Sequence, residues 1–225
     1  MKTEKAQANL GIGKASRKVR KPKRPETYHH GSLREALLQA AERILERDGI
    51  QGLTLRAAAR EAGVSHAAPM NHFGDMTGLL SDLAAVGFER FVAMMLVGVK
   101  DSDPPAARMS AIGRGYITFA RKHPGLFLLM FRSERLDHTR PALRDAVATS
   151  SGVLSGTVAA RRGEQEDANL TLPQAASIVA AWSLVHGFAM LLLDGRLRPL
   201  MARLPPGTTP DALLAAVFSG TKAKN

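Results

Sequence analysis

The chain has 225 residues, 45% of them hydrophobic, so it can bury a proper core as one large or two small globular domains. Its formal charge of +11 points to an anionic partner, but nine Lys and Arg against Glu4 alone fall in residues 1–25, leaving the remainder only mildly basic. Cysteine is absent, which excludes disulfides and thiol chemistry and fits a reducing cytoplasm.

Residues 1–27 are rich in Lys, Arg, Gly and Pro with almost no large apolar side chains, and are expected to form a disordered basic tail. Such a tail is either a solvated appendage or an arm that follows the phosphate backbone or enters a minor groove. A neighbouring DNA-binding unit favours the arm. Lys18, Arg20, Lys21, Lys23 and Arg24, with Tyr28 and His29 at the entry to the folded body, are its candidate backbone contacts. Gly11-Ile12-Gly13-Lys14 is not a phosphate loop, because no strand precedes it and the rest of that motif is missing. The His29-His30 pair lacks a third ligand, so no metal is expected. The amino terminus also lacks the apolar core and cleavage site of a secretory signal, and no export is expected.

Residues 28–74 read as a three-helix DNA-binding domain. Ser32-Leu33-Arg34-Glu35 is a capping box, and Leu33, Leu37, Ala40, Ile44 and Leu45 keep helical period until Asp48-Gly49 stops the run. Thr54 is the N-cap of a second helix, whose Leu55, Ala58, Ala59 and Ala62 form a small apolar face that another helix can approach closely. Gly63 ends it, Val64 anchors the turn, and Ser65 is expected to cap a third helix running to Phe73. This is the spacing of a helix-turn-helix. Ser65, His66, Ala67, Ala68 and Asn71 are the predicted base-reading residues, with Asn71 suited to adenine and the alanines to thymine methyls. Thr54, Arg56, Met70 and His72 complete the candidate contacts.

Residues 75–225 read as a helical ligand-binding and dimerisation domain. Asp75 caps a long helix to about Val99 that links the domains, and Asp101 to Pro105 breaks the chain. Met109, Ile112, Tyr116 and Phe119 mark a fifth helix ending near His123, and Pro124 restarts the chain at a new angle. A seventh helix is expected from 139 to about 162, then a polar loop from Gly163 to Asn169. Thr171-Leu172-Pro173-Gln174 is a second capping box. It opens a helix whose residues 174–193 contain no Lys, Arg, Asp or Glu and approach the length of a membrane span. Recurrent polar residues and the missing basic flank favour a buried helix over a span. Pro205-Pro206-Gly207 is a loop, and Thr209-Pro210-Asp211 starts a last helix. With no sustained alternation of period two, the fold is all-α, of about nine helices.

The stretch GLTLRAAAREAGVSHAAPMNHFGDMTGLL resembles the amino-terminal signature of the TetR family of one-component transcriptional repressors. Tyr28 to Leu33, with Trp182, His186 and Gly187 downstream, resembles the subgroup named for a Trp-His-Gly motif. The resemblance covers residues 28 to about 195. It implies a homodimer formed through the last two long helices, recognition helices in successive major grooves of a palindromic operator, and release by a small-molecule effector. Met70 and Met76 depart from the pattern, standing where the family commonly has a tyrosine and a lysine that contact phosphate.

Tyr116, Phe127, Met130, Phe131, Trp182, His186 and Met190 are the candidate ligand pocket; at helical spacing such residues are mostly core, but the same set is how a small apolar ligand would be enclosed. Gly187 would allow a close helix approach beside His186. Val179, Leu184, Leu191 and Phe218 are candidates for the dimer interface. No nucleophile elbow, zinc-binding His pair or phosphate loop is present, so no enzyme and no cofactor is expected. A constitutive, nucleoid-like binder that relies on the basic tail and senses nothing is the alternative reading.

Overall fold

The structure is a computed structural model describing residues 30–165 and 169–220. Among the described residues there are ten α-helices, one 3-10 turn and no strand. They are α1 (His30–Gly52), α2 (Leu55–Glu61), α3 (Ala68–Phe73), α4 (Met76–Leu96), α5 (Pro105–Lys122), α6 (Pro124–Met130), α7 (Pro141–Arg162), α8 (Leu172–Leu193), α9 (Arg198–Met201) and α10 (Pro210–Gly220), with the 3-10 turn at Ser133–Arg135. The short α9 and the 3-10 turn carry too few residues to show a period, and sequence reasoning missed both.

The local chemistry explains most boundaries. α1 starts at His30, so Ser32 lies inside the helix rather than ahead of it, and Gly49 breaks the helical path at φ 68° and ψ −177°. Asp75 Oδ1 accepts the Gly78 N–H at 2.7 Å as the N-cap of α4. Gly78 is required there for space, because a Cβ would collide with the Phe73 carbonyl that closes α3. His123 and Pro124 end α5 and begin α6 in a new direction. Gln174 Oε1 accepts from both the Thr171 N–H (2.8 Å) and its hydroxyl (2.9 Å), which secures the start of α8.

α1, α2 and α3 pack against one another and α4 runs from them into the remaining bundle, where it meets α5, α6 and α7. One continuous apolar core runs from Leu37 through Phe91, Phe119 and Phe127 to Leu214, so no apolar gap separates the two predicted domains. Each fully enclosed leucine in it, such as Leu37, Leu79 or Leu83, contributes about 2 kcal/mol of burial.

Three polar links tie α1 to the rest. Asp82 of α4 accepts from Arg34 Nη2 (2.8 Å) and from Arg140 Nε (2.9 Å) just ahead of α7. Arg90 donates to both oxygens of Glu42 at 2.7 Å. Glu46 accepts the first free N–H groups of α6, Gly125 and Leu126, each at 3.0 Å.

The buried helix expected at residues 174–193 is only partly buried by its own chain. Val185, Phe188 and Ala189 are the buried residues of α8, whereas Leu172, Val179, Trp182 and Leu191 are exposed. By length and composition α8 could cross a membrane.

Candidate nucleic-acid interface and cavity

The turn between α2 and α3 is built from capping bonds. Thr54 Oγ1 accepts the Ala57 N–H at 3.0 Å, as its N-cap role requires. Gly63 takes φ 68°, and the Val64 N–H returns to the Ala59 carbonyl at 3.0 Å. Val64 packs against the core, with Ala58 and Ala59 fully enclosed beneath it.

The start of α3 differs from expectation. Ser65 does not cap it: the first helical residue is Ala68, the N-cap position is Ala67, and the Ser65 carbonyl instead accepts the Ala68 N–H at 3.1 Å. The reason is Pro69, which has no N–H and suits the first turn, where a donor would be orphaned anyway. Ser65 and His66 therefore lie in the turn ahead of the helix. Ala68, predicted to read bases, is 6% exposed and belongs to the core with Pro69 and Phe73.

Ser65, His66, Ala67, Met70 and Asn71 are exposed, and His72 is half-buried. Met70 is 54% exposed, an apolar side chain left in water in the middle of α3. Arg56 and Arg60 on α2 are exposed and have no carboxylate partner among the described residues, and Arg60 went unpredicted. Nearby Glu61 is occupied by Arg43 and Arg47, and the Arg43 hydrogen bond holds its carboxyl below the ordinary value. Met76 is half-buried against the core and offers nothing to a phosphate. Lys18, Arg20, Lys21, Lys23, Arg24, Tyr28 and His29, with the whole predicted tail, lie outside the described residues.

In the second domain a cavity of about 1060 Å³ opens between α4, α5, α7 and α8. Of the seven candidate pocket residues, Tyr116, Met130, Phe131 and Trp182 line it. The other three candidates do not. Phe127 is fully enclosed, stacked on the His186 ring at 5.6 Å, and Met190 packs on the core outside the lining. His186 lies behind the wall, its Nδ1 at 2.8 Å from Tyr116 Oη. Burial lowers the His186 pKa, and burial raises the Tyr116 phenol well above its usual range with Trp182 opposing in part.

The candidates for an interface divide. Val179 and Leu191 are exposed on α8 and Leu184 is half-buried there. Phe218 turns inward: its ring lies 2.5 Å from where a Cβ on Gly113 would stand, so it fills the space that glycine leaves on α5. Gly187 has no atom within 4 Å of its Cβ position, so nothing in its own chain makes the close approach expected there.

Sequence reasoning missed the α7 wall, formed by Val147, Ser150, Ser151, Gly152 and Leu154. The run of small residues Ser150-Ser151-Gly152 was its available signal, since small side chains leave room. It also missed the Asp82 clamp, because nothing local marks a carboxylate whose partners are 48 and 58 residues away.

Residues 37–83 match the family profile described as bacterial regulatory proteins, tetR family, and residues 109–217 match the one described as tetracyclin repressor-like, C-terminal domain. A solved structure of a protein with unknown function from Rhodococcus sp. RHA1 is similar at 34% identity and a TM-score of 0.67, over 87% of this chain and 96% of that one. Among curated proteins, a nucleoid occlusion factor, SlmA, from Sodalis glossinidius is 31% identical over 110 residues, which are 46% of this chain and 56% of that protein. The HTH-type transcriptional regulator YobS of Bacillus subtilis is 24% identical over 97 residues, 43% of this chain and 50% of its own. The chain thus spans about half the length of the curated relatives it matches.

Proposed function

Because the chain belongs to the TetR family of DNA-binding transcriptional regulators, we propose that it is a homodimeric, ligand-responsive repressor of a palindromic operator. One observation supports this reading: only two residues separate the end of α3 from the start of α4, which then supplies Phe88, Phe91 and Met95 to the cavity wall. A molecule entering the cavity therefore presses on the same rigid helix that seats the DNA-reading element. α6 adds a second connection, since its Met130 lines the cavity while its first N–H groups are held by Glu46 of α1.

Repression and release follow from a difference in affinity. DNA favours the conformer whose two α3 helices match successive major grooves, and the effector favours another. A coupling of about 1 to 3 kcal/mol between the sites is enough to change operator occupancy. The apolar face of α8 supplies the surface on which the second subunit packs, and closed twofold symmetry makes that face meet itself. The nine cations in residues 1–25 offset the phosphate contacts that Met70 and Met76 do not provide.

The partial likeness to a nucleoid occlusion factor, with the basic amino-terminal segment, favours a second reading as a constitutive binder of weak specificity. Footprinting on genomic fragments separates the two. A specific repressor protects discrete palindromes with half-sites about one helical turn apart, and a nucleoid-like protein protects fragments evenly.

A further inference from the structure

The cavity's walls say what class of molecule fits it. Its lining includes no Lys, Arg, Asp or Glu, and its ionisable members are Tyr116 and His138, the latter on the exposed rim. At the end of α7, Arg162 is paired with Glu164 at 2.8 Å, and Arg161 Nη1 rests 3.1 Å from the Met109 sulfur. A charged group carried inside would lose its water with nothing to replace it.

The wall is not wholly apolar. Tyr116 Oη, tied to His186 Nδ1 at 2.8 Å and hydrogen-bonded by Trp182, keeps one hydrogen-bonding position to spare. Depending on which of the pair carries the shared proton, the phenol offers the cavity an acceptor or a donor. Thr157 and Ser155, by contrast, donate to the Val153 carbonyl (2.6 Å) and the Gly152 carbonyl (3.2 Å) of their own helix, and Ser150 and Ser151 lie on the same α7 wall, away from the enclosed end that Tyr116 marks with His186 and Phe127.

We infer that the cavity takes an uncharged, largely apolar molecule carrying one hydroxyl or carbonyl group, which Tyr116 reads. The inference rests on the proposed effector role of this cavity and narrows it to a ligand class. The volume, about 1060 Å³, is at the upper end of what drug-sized ligands occupy, so the apolar body supplies most of the affinity and the Tyr116 contact supplies the selection.

Trp182 lines the cavity and is the single tryptophan of the chain, so its emission reports occupancy directly. The full-length protein is titrated at pH 8 with decan-1-ol, decanoate and decylammonium, three probes that share a tail and differ in head-group charge. The expected result is saturable change with decan-1-ol at a concentration at least about tenfold below that needed for either ion. Tyr116→Phe should weaken decan-1-ol about fivefold and leave decane unaffected. A second variant is independent of the core: Gly152 lines the cavity with nothing within 4 Å of its Cβ position, so Gly152→Leu should fill the space, abolish binding and keep or raise thermal stability. Equal or tighter binding of either ion overturns the ligand class while leaving the cavity an effector site. No saturable change with any probe overturns the effector reading itself. Unchanged binding in Tyr116→Phe removes Tyr116 as the reader.

Discussion

α4 and α8 are nearly equal in length, 21 and 22 residues, and both are dominated by Leu, Ala, Met, Val and Phe, yet their own chain treats them oppositely. Twelve residues of α4 are buried, including the carboxylate of Asp82, whereas three of α8 are. α4 is surrounded by α1, α3, α5, α6 and α7, so its apolar residues do their work inside the subunit. α8 leaves Leu172, Val179, Trp182 and Leu191 exposed. Similar composition thus has two outcomes: one helix is enclosed by its own subunit, and the other is left partly uncovered, the face proposed above to meet a second copy.

The largest effect that tests this contrast is on α4. Leu83→Ala, at a fully enclosed position, should cost about 3 kcal/mol of unfolding free energy in a denaturant titration. Its counterpart on α8, Leu191→Glu, should change monomer stability by no more than about 0.5 kcal/mol but convert the dimer to monomer in light scattering. Unfolding of both variants to a similar extent would erase the distinction.

Next comes the clamp on α4. Asp82→Ala leaves the Arg34 and Arg140 guanidiniums without their shared acceptor. Both arginines reach solvent, so the loss should be about 2 kcal/mol rather than that of a fully buried pair. Because Asp82 joins α1 to α7, the variant should also weaken the response of DNA binding to any effector, read as a smaller ratio of operator affinities with and without it.

On the DNA side, Asn71→Ala should cost about 1 to 3 kcal/mol of operator affinity and relax preference at one base pair per half-site in a randomised-site selection. Ala68→Ser, at a buried position, should instead reduce stability and leave base preference unchanged.

The smallest effect is on pH. Burial holds the His186 pKa below 6.5 in the folded chain, so the unfolded chain binds more protons between that depressed value and 6.5. Stability is therefore full above 6.5 and falls as pH drops through that window. Glu61 and Glu164 titrate below 4.5, each held down first by its hydrogen-bonded arginine, Arg43 or Arg162, so their loss comes later on acidification. Melting temperatures measured between pH 7.5 and 5 should decline in the native chain and flatten in His186→Gln.

Much of this was legible in the residues. Thr54, Gly63 and Asp75 specify caps and turns through interactions within three or four positions, so the start of α2, the turn after it and the start of α4 fell where expected. Ser65 misled because a hydroxyl ahead of a helix is a good cap only if the helix begins beside it, and Pro69 delayed that start. The cavity wall was half legible. Aromatic residues on α5, α6 and α8 announced themselves by size, but size does not separate Phe127, which is core, from Phe131, which faces the cavity. α8 carries apolar residues all round, so its pattern could not say which side the chain itself covers.

In the proposed complex, two copies of this chain join through α8 and present two α3 helices to one site. The most direct measurement is the mass of the complex formed on a palindrome recovered by footprinting, for the native chain and for Leu191→Glu. The native chain should give two subunits per discrete site, with Leu191→Glu binding as single subunits at much reduced affinity. Uniform protection of the fragments, or an unchanged two-subunit complex with Leu191→Glu, would contradict it.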